Sequence, residues 1–259
     1  MRSILFLGLA ACAATVWAAD EAAWTKYRGP KDDGVAVGDA PTEWSEGKRI
    51  AWKAAIPGRG HSSPVLWGDR IFLTSAVSSG APKAPPAAEA PPPPGGGDRR
   101  RGGPGGASLK GVEHSLTVMC LDAKSGKILW QQEAAKVAPH EGYHFRYGSF
   151  ASNSPTTDGK VLYAFFGSFG LFAYDLNGKL LWKKSFNPMR MRNEFGEGVA
   201  PVLHGDNLIL KMDAEENSHL LVLDKTTGKE LWRVDREERR LFFVGPVLGF
   251  VFSVRQVQA

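Results

Sequence analysis

Three stretches of this chain repeat one pattern: CLDAKSGKILW, AYDLNGKLLW and VLDKTTGKELW. Aligned, they set Asp122, Gly126 and Trp130 against Asp175, Gly178 and Trp182, and against Asp224, Gly228 and Trp232. Successive tryptophans are 52 and 50 residues apart. A period near fifty made of short alternating runs marks a repeat architecture, and it excludes most other fold classes. Each unit also has an earlier half. SSPVLWGDRIFLTSA, NSPTTDGKVLYAFFG and VAPVLHGDNLILKMD share a proline, a short run, a Gly/Asp turn and a β-rich strand.

Each unit therefore reads as four short strands: one after the proline, one after the Gly/Asp turn, one ending at the aspartate and one ending at the tryptophan. Four antiparallel strands per fifty residues describe a propeller blade. The expected fold is an all-β, partial β-propeller of about three blades of a seven- or eight-bladed ring, with blades near 62–133, 154–184 and 201–235. Aspartate suits the last hairpin because its side chain caps the turn, and glycine because it tolerates positive φ. The second unit is one residue shorter there, DLNG against DAKSG and DKTTG. The tryptophan is expected to clamp one blade to the next, since an indole burying ~150–250 Å² contributes about 4–6 kcal/mol. Equal spacing argues against the core tryptophans of a β-sandwich. KRIAW, ending at Trp52, reads as a fourth strand on its own, closing the ring against a C-terminal blade.

The pattern A-x-D-x-x-x-G-x-x-x-W resembles the tryptophan-docking motif of the pyrroloquinoline-quinone-like β-propeller repeat proteins. WTKYRGPKDDGVA followed by EWSEGKRIAWKAAIPGRGHSSPV resembles the start of the secreted bacterial branch of that family. The resemblance runs from about residue 24 to 238 and implies the fold rather than an activity. One side of the family is catalytic: quinoprotein dehydrogenases that hold pyrroloquinoline quinone and calcium on the propeller axis and oxidise alcohols or sugars. The alcohol-oxidising type places an adjacent cysteine pair over the cofactor, and this chain has none. No cofactor ligand carries over residue by residue. The other side is non-catalytic and includes an outer-membrane assembly lipoprotein that scaffolds other proteins through loops and strand edges. The expectation is a non-catalytic scaffold with envelope proteins as partners, no cofactor, and no catalytic, cofactor-binding or metal residues. The alternative is a fragment of a dehydrogenase using pyrroloquinoline quinone with calcium.

Other chemistry is weaker. His140-Glu141-Gly142-Tyr143-His144 spells the zinc-protease pattern, which requires a helix to bring both imidazoles to one face. Pro139 precedes it, Gly142 interrupts it and both flanks are β, so it reads as an inter-blade loop. Asp213, Glu215 and Glu216 form the one cluster able to suggest calcium, against the plainer reading of a solvated hairpin tip. TTGK and KSGK lack the upstream glycine of a phosphate-binding loop.

The first twenty residues, MRSILFLGLAACAATVWAAD, have one basic residue, a short apolar run and small residues. They read as an export signal over 1–19, too short to span a membrane. The alternative is acylation at Cys12, giving an outer-membrane lipoprotein. The expected location is periplasmic or secreted, with no transmembrane segment. Cys120 would then be alone, without a disulfide partner. The net charge of +5 owes much to Arg99, Arg100 and Arg101, within a Pro/Gly-rich insert at 78–111. This insert is expected to be a disordered loop, so the charge is no sign of a nucleic-acid partner. After DREE the repeat fails. Pro246 is on period, but the atypical tail 239–259 lacks the Gly/Asp turn. The chain is therefore expected to be a truncated form of a longer propeller, by frameshift or sequencing error, and prone to aggregate through open sheet faces.

Overall fold

The structure is a computed structural model that describes residues 23–36, 38, 41–45, 47–79, 110–144 and 147–236. The signal at 1–19 with Cys12, nearly all of the insert at 78–111, and the tail at 239–259 lie outside the described residues.

Among the described residues twelve strands form three four-stranded antiparallel sheets. The first contains β1 (Val65–Trp67), β2 (Arg70–Ser78), β3 (His114–Asp122) and β4 (Ile128–Val137). The second contains β5 (Thr156–Thr157), β6 (Val161–Phe165), β7 (Leu171–Asp175) and β8 (Leu180–Lys184). The third contains β9 (Val202–His204), β10 (Asn207–Met212), β11 (His219–Asp224) and β12 (Glu230–Asp235). In each sheet the strands neighbour one another in chain order. The molecule is all-β, a partial β-propeller.

The middle blade is buried on both faces, so its strands read as nearly continuous apolar runs rather than alternating ones. Leu162 and Ala164 join Phe72, Leu116, Val118 and Cys120 of the first blade in one core. Tyr163 and Phe165, pointing the other way along the same strand, join Leu208, Leu210 and Leu221 of the third blade in another. The side-chain period of two thus sends alternate residues of β6 to opposite neighbours.

Two details differ from the sequence reading. The outer strand of the first blade runs to Val137 rather than ending near Glu133, because β3 begins at His114 and pairs it with Val137. The residues leading into Trp52 form no strand: apart from an isolated bridge between Lys48 and Ser45 they have no ladder partner among the described residues, and the C-terminal blade expected to receive them lies outside those residues. Trp52 instead packs on the first blade.

Each outer strand carries a β-bulge at the residue before its tryptophan. Cys120 faces Trp130 while Leu121 faces Ile128, leaving Leu129 extra. Ala173 and Tyr174 skip Leu181 in the same way, and Val222 and Leu223 skip Leu231. An extra residue bends the strand and re-aims the side chain that follows. The skipped leucines turn outward and are about half exposed, at 53%, 46% and 52%.

Candidate functional site

Antiparallel order places the first and third turns of every blade at one end, and the second turn and the inter-blade connections at the other. The aspartate–glycine–tryptophan residues occupy the first end. In the last turn of each blade the aspartate carboxylate accepts hydrogen bonds from the turn. Asp122 takes them from the Ser125 N–H (2.7 Å) and hydroxyl (2.6 Å). Asp175 takes them from the N–H groups of Asn177 and Lys179 (both 2.9 Å). Asp224 takes them from Thr226 N–H (3.1 Å), Thr227 N–H (2.7 Å) and the Thr227 hydroxyl (2.7 Å). The serine bonds hold the Asp122 carboxyl below the usual carboxylate range, and the threonine bonds do the same for Asp224.

The tryptophan of one blade reaches the turn of the next. Trp130 Nε1 donates to the Leu176 carbonyl (3.0 Å), and Trp182 Nε1 donates to the Lys225 carbonyl (3.1 Å). Trp52 Nε1 donates to Ala123 (2.9 Å) in the same manner. The acceptor is always the residue after the aspartate. The indole lies over the turn glycine, so a Cβ there would fall 2.8 Å from the ring at Gly178 and 2.6 Å at Gly228, while Gly126 lies beneath Trp52. Trp232 is 41% exposed, and no following turn lies over it among the described residues.

Sequence reasoning missed a second donor at the joints of Trp130 and Trp182. Arg70 Nη1 also donates to the Leu176 carbonyl (2.6 Å), and Tyr163 Oη to that of Lys225 (3.2 Å). It also missed Trp67, whose indole lies over Gly159. The WGD and TDGK turns held the only signal for that contact.

The opposite end holds a recess of about 340 Å³, counting its open mouth, lined among others by His140, Glu141, Asn153, Phe166, Phe169 and Glu197. The zinc-protease pattern falls here, on irregular backbone rather than a helix. His140 Nε2 donates to the Met189 carbonyl (2.7 Å), and Glu141 accepts the Met191 N–H (2.8 Å). His144 stacks on Tyr147 with ring centroids 4.9 Å apart. The residues of the motif thus fasten neighbouring backbone. Glu197 was not singled out in the sequence. Its carboxylate accepts the Ser168 N–H (2.9 and 3.0 Å to its two oxygens) and hydroxyl (2.5 Å). Burial pushes its pKa up to about 7, against the opposing pull of the Ser168 bonds. Asp213 is spent on Lys211 and Arg236, and Glu216 on Arg190.

A family model described as outer membrane protein assembly factor BamB, of the PQQ-like repeat type, matches residues 114–250, more than half of the chain. The chain belongs to this PQQ-like repeat family. No curated protein sequence matches it. Similar solved structures include a europium-containing methanol dehydrogenase at 16% identity and TM-score 0.43, covering 72% of this chain and 27% of that one. The quinohemoprotein alcohol dehydrogenase of Comamonas testosteroni matches at 14% and 0.40, covering 69% and 21%. BamB of Moraxella catarrhalis matches at 16% and 0.31, covering 47% and 33%. The chain spans a third or less of the length of these proteins.

The family name raises the question of a quinone. Pyrroloquinoline quinone is a flat tricarboxylate, and the residues lining this recess include no lysine or arginine to meet its charges. Two glutamates stand there instead. Among the described residues no group of three His, Cys, Asp or Glu side chains is placed to hold a metal ion. The lining of this recess does not fit the cofactor.

Proposed function

We propose that this PQQ-like repeat protein is a non-catalytic, exported scaffold that binds other proteins of the cell envelope. The observation that carries this reading is the outward leucine on the outer strand of every blade. Leu129, Leu181 and Leu231 occupy one register position, the bulge before the tryptophan, in successive blades, and each is about half exposed. A single exposed leucine needs no explanation, but three at equivalent sites supply the apolar surface that a protein partner would cover on this reading. Each follows an exposed lysine by two residues, Lys127, Lys179 and Lys229, which supplies the polar rim such surfaces carry. The bulge beneath each leucine breaks the regular ladder and blunts edge pairing, so recognition falls to side chains.

The experiment is affinity capture from an envelope extract, comparing the wild type with a Leu129→Glu/Leu181→Glu double variant of unchanged melting temperature. The wild type should retain a discrete partner that the variant loses. Equal capture by both proteins would remove the reading. Dye reduction by the purified protein on adding pyrroloquinoline quinone and calcium would replace it with a dehydrogenase.

A further inference from the structure

The β8–β9 connection, residues 185–201, forms one wall of the recess as a strap with little backbone ladder of its own. Two backbone bonds hold it, from the His144 N–H to the Phe195 carbonyl (3.0 Å) and from the Glu215 N–H to the Arg190 carbonyl (2.8 Å), and its other fasteners are side chains. The Met189 N–H donates to Ser168 Oγ (2.8 Å), and the Met189 carbonyl accepts from His140. The Met191 N–H is held by Glu141, and the Val199 N–H donates to Asn153 Oδ1 (2.5 Å). Glu197 reaches the other way, from the strap into the β6–β7 turn. Its carboxylate lies against Gly167, where any Cβ would collide with it and where φ is +61°. Ser168 therefore ties the strap at two points, Met189 and Glu197.

We propose that Glu197 is a pH-sensitive catch, which keeps the strap seated while its carboxyl holds a proton and releases the strap as it ionises. This device does not depend on the scaffold reading. When Glu197 is charged, the hydrogen bonds it accepts among the described residues come from the Ser168 N–H and hydroxyl, in a recess walled by Phe150, Phe166 and Phe169. Enclosure in such a wall disfavours the charged form. From the inter-blade connection, Glu141 adds a like charge that opposes ionisation, and His140 favours it. The β6–β7 turn, Phe166–Gly170, contributes no titratable group. The strap's own Arg190 and Glu194 pair with Glu216 and Lys110.

The direction follows from linkage. The seated carboxyl titrates near about 7, whereas a carboxyl released into water titrates near its ordinary 4.5. Between these values the seated form binds a proton that the released form does not, so raising the pH favours release. The full movement of the seating equilibrium is about 300-fold.

Hydrogen exchange of the intact protein, corrected for the intrinsic pH dependence of exchange, tests this. Protection of the Met189, Met191 and Val199 amides should fall by one to two orders of magnitude between about pH 5 and pH 8. Amides of β6 and β7 should not change over the same range. Glu197→Gln, neutral and of the same shape, should keep the strap protected and flat with pH. The same pH response in Glu197→Gln as in the wild type, or none in the wild type, overturns the proposal. Should the variant misfold, carbon NMR of the Glu197 carboxyl in the wild type decides instead. A midpoint near 7 supports the catch, and one below 5 removes it.

Discussion

Gly178 lies directly beneath the indole of Trp130, so close that a Cβ on the glycine would stand 2.8 Å from the ring. The glycine also has φ of +88°. Two separate demands, backbone handedness and room for the neighbouring blade, thus fall on one residue.

Gly178→Ala should therefore destabilise by about 2–4 kcal/mol, the sum of a left-handed alanine and a pushed joint. Gly205→Ala is the control. Its φ of +57° imposes the same handedness, but nothing lies within 4 Å of an added Cβ, so it should cost only about 1 kcal/mol. Equal losses in urea unfolding would show that the indole yields freely and that the joint is loose.

Trp182→Ala should cost about 3–5 kcal/mol, as truncation of a packed aromatic does. It removes an indole set over Gly228, a ring contact with Tyr163 at 6.0 Å, and a hydrogen bond. Trp232→Ala, at a residue 41% exposed, should cost below about 1 kcal/mol. The comparison asks whether packing over a turn, rather than tryptophan itself, supplies the stability.

The turn aspartates predict an acid limb. The carboxyls of Asp122 and Asp224 are lowered by the hydrogen bonds they accept. Their contribution is present above the ordinary value of 3.8 and is lost as pH falls through the still lower folded value. Melting temperatures should thus drop on acidification below about pH 4, and an Asp122→Asn/Asp224→Asn variant should show a shallower drop there. An unchanged slope would mean that other carboxylates govern acid unfolding.

Cys120 is fully buried, and burial pushes its thiol up to about 11. The thiolate is the reactive form, so a disulfide reagent at pH 8 should leave Cys120 of the native protein unlabelled. Labelling should appear only on unfolding, with the denaturant midpoint seen by tryptophan fluorescence. Rapid labelling of native protein would contradict this packing of β3.

The repeat made the blades legible. Asp122, Asp175 and Asp224 announced their turns because the residues that cap a hairpin are few and their spacing recurred. The direction of each tryptophan was half legible: period gave the strand, but the bulge that aims it exists only in cross-strand register. The sequence around Trp52 matches the ends of outer strands, and its indole is seated as theirs are, but strand formation depends on a ladder partner, and the blade expected to supply one lies outside the described residues. Glu197 was invisible. Nothing in FGEGVA marks a buried acid, since its burial comes from Ser168 and Phe169, nearly thirty residues away, and from Phe150, farther still. His140 and Glu141 were noticed for a chemistry that needs a helix, and their actual work is to hold the backbone of Met189 and Met191.

The joints also have an order in time. Each indole precedes the turn that receives it, by 46 residues for Trp130 and Leu176 and by 43 for Trp182 and Lys225. A chain emerging from its N-terminus therefore finishes every blade with an indole that has no seat until the next blade is made. Trp52 waits longest, 71 residues to Ala123, because the β2–β3 connection of the first blade intervenes. Shortening that connection would bring the first seat forward without touching any contact that the finished joint uses.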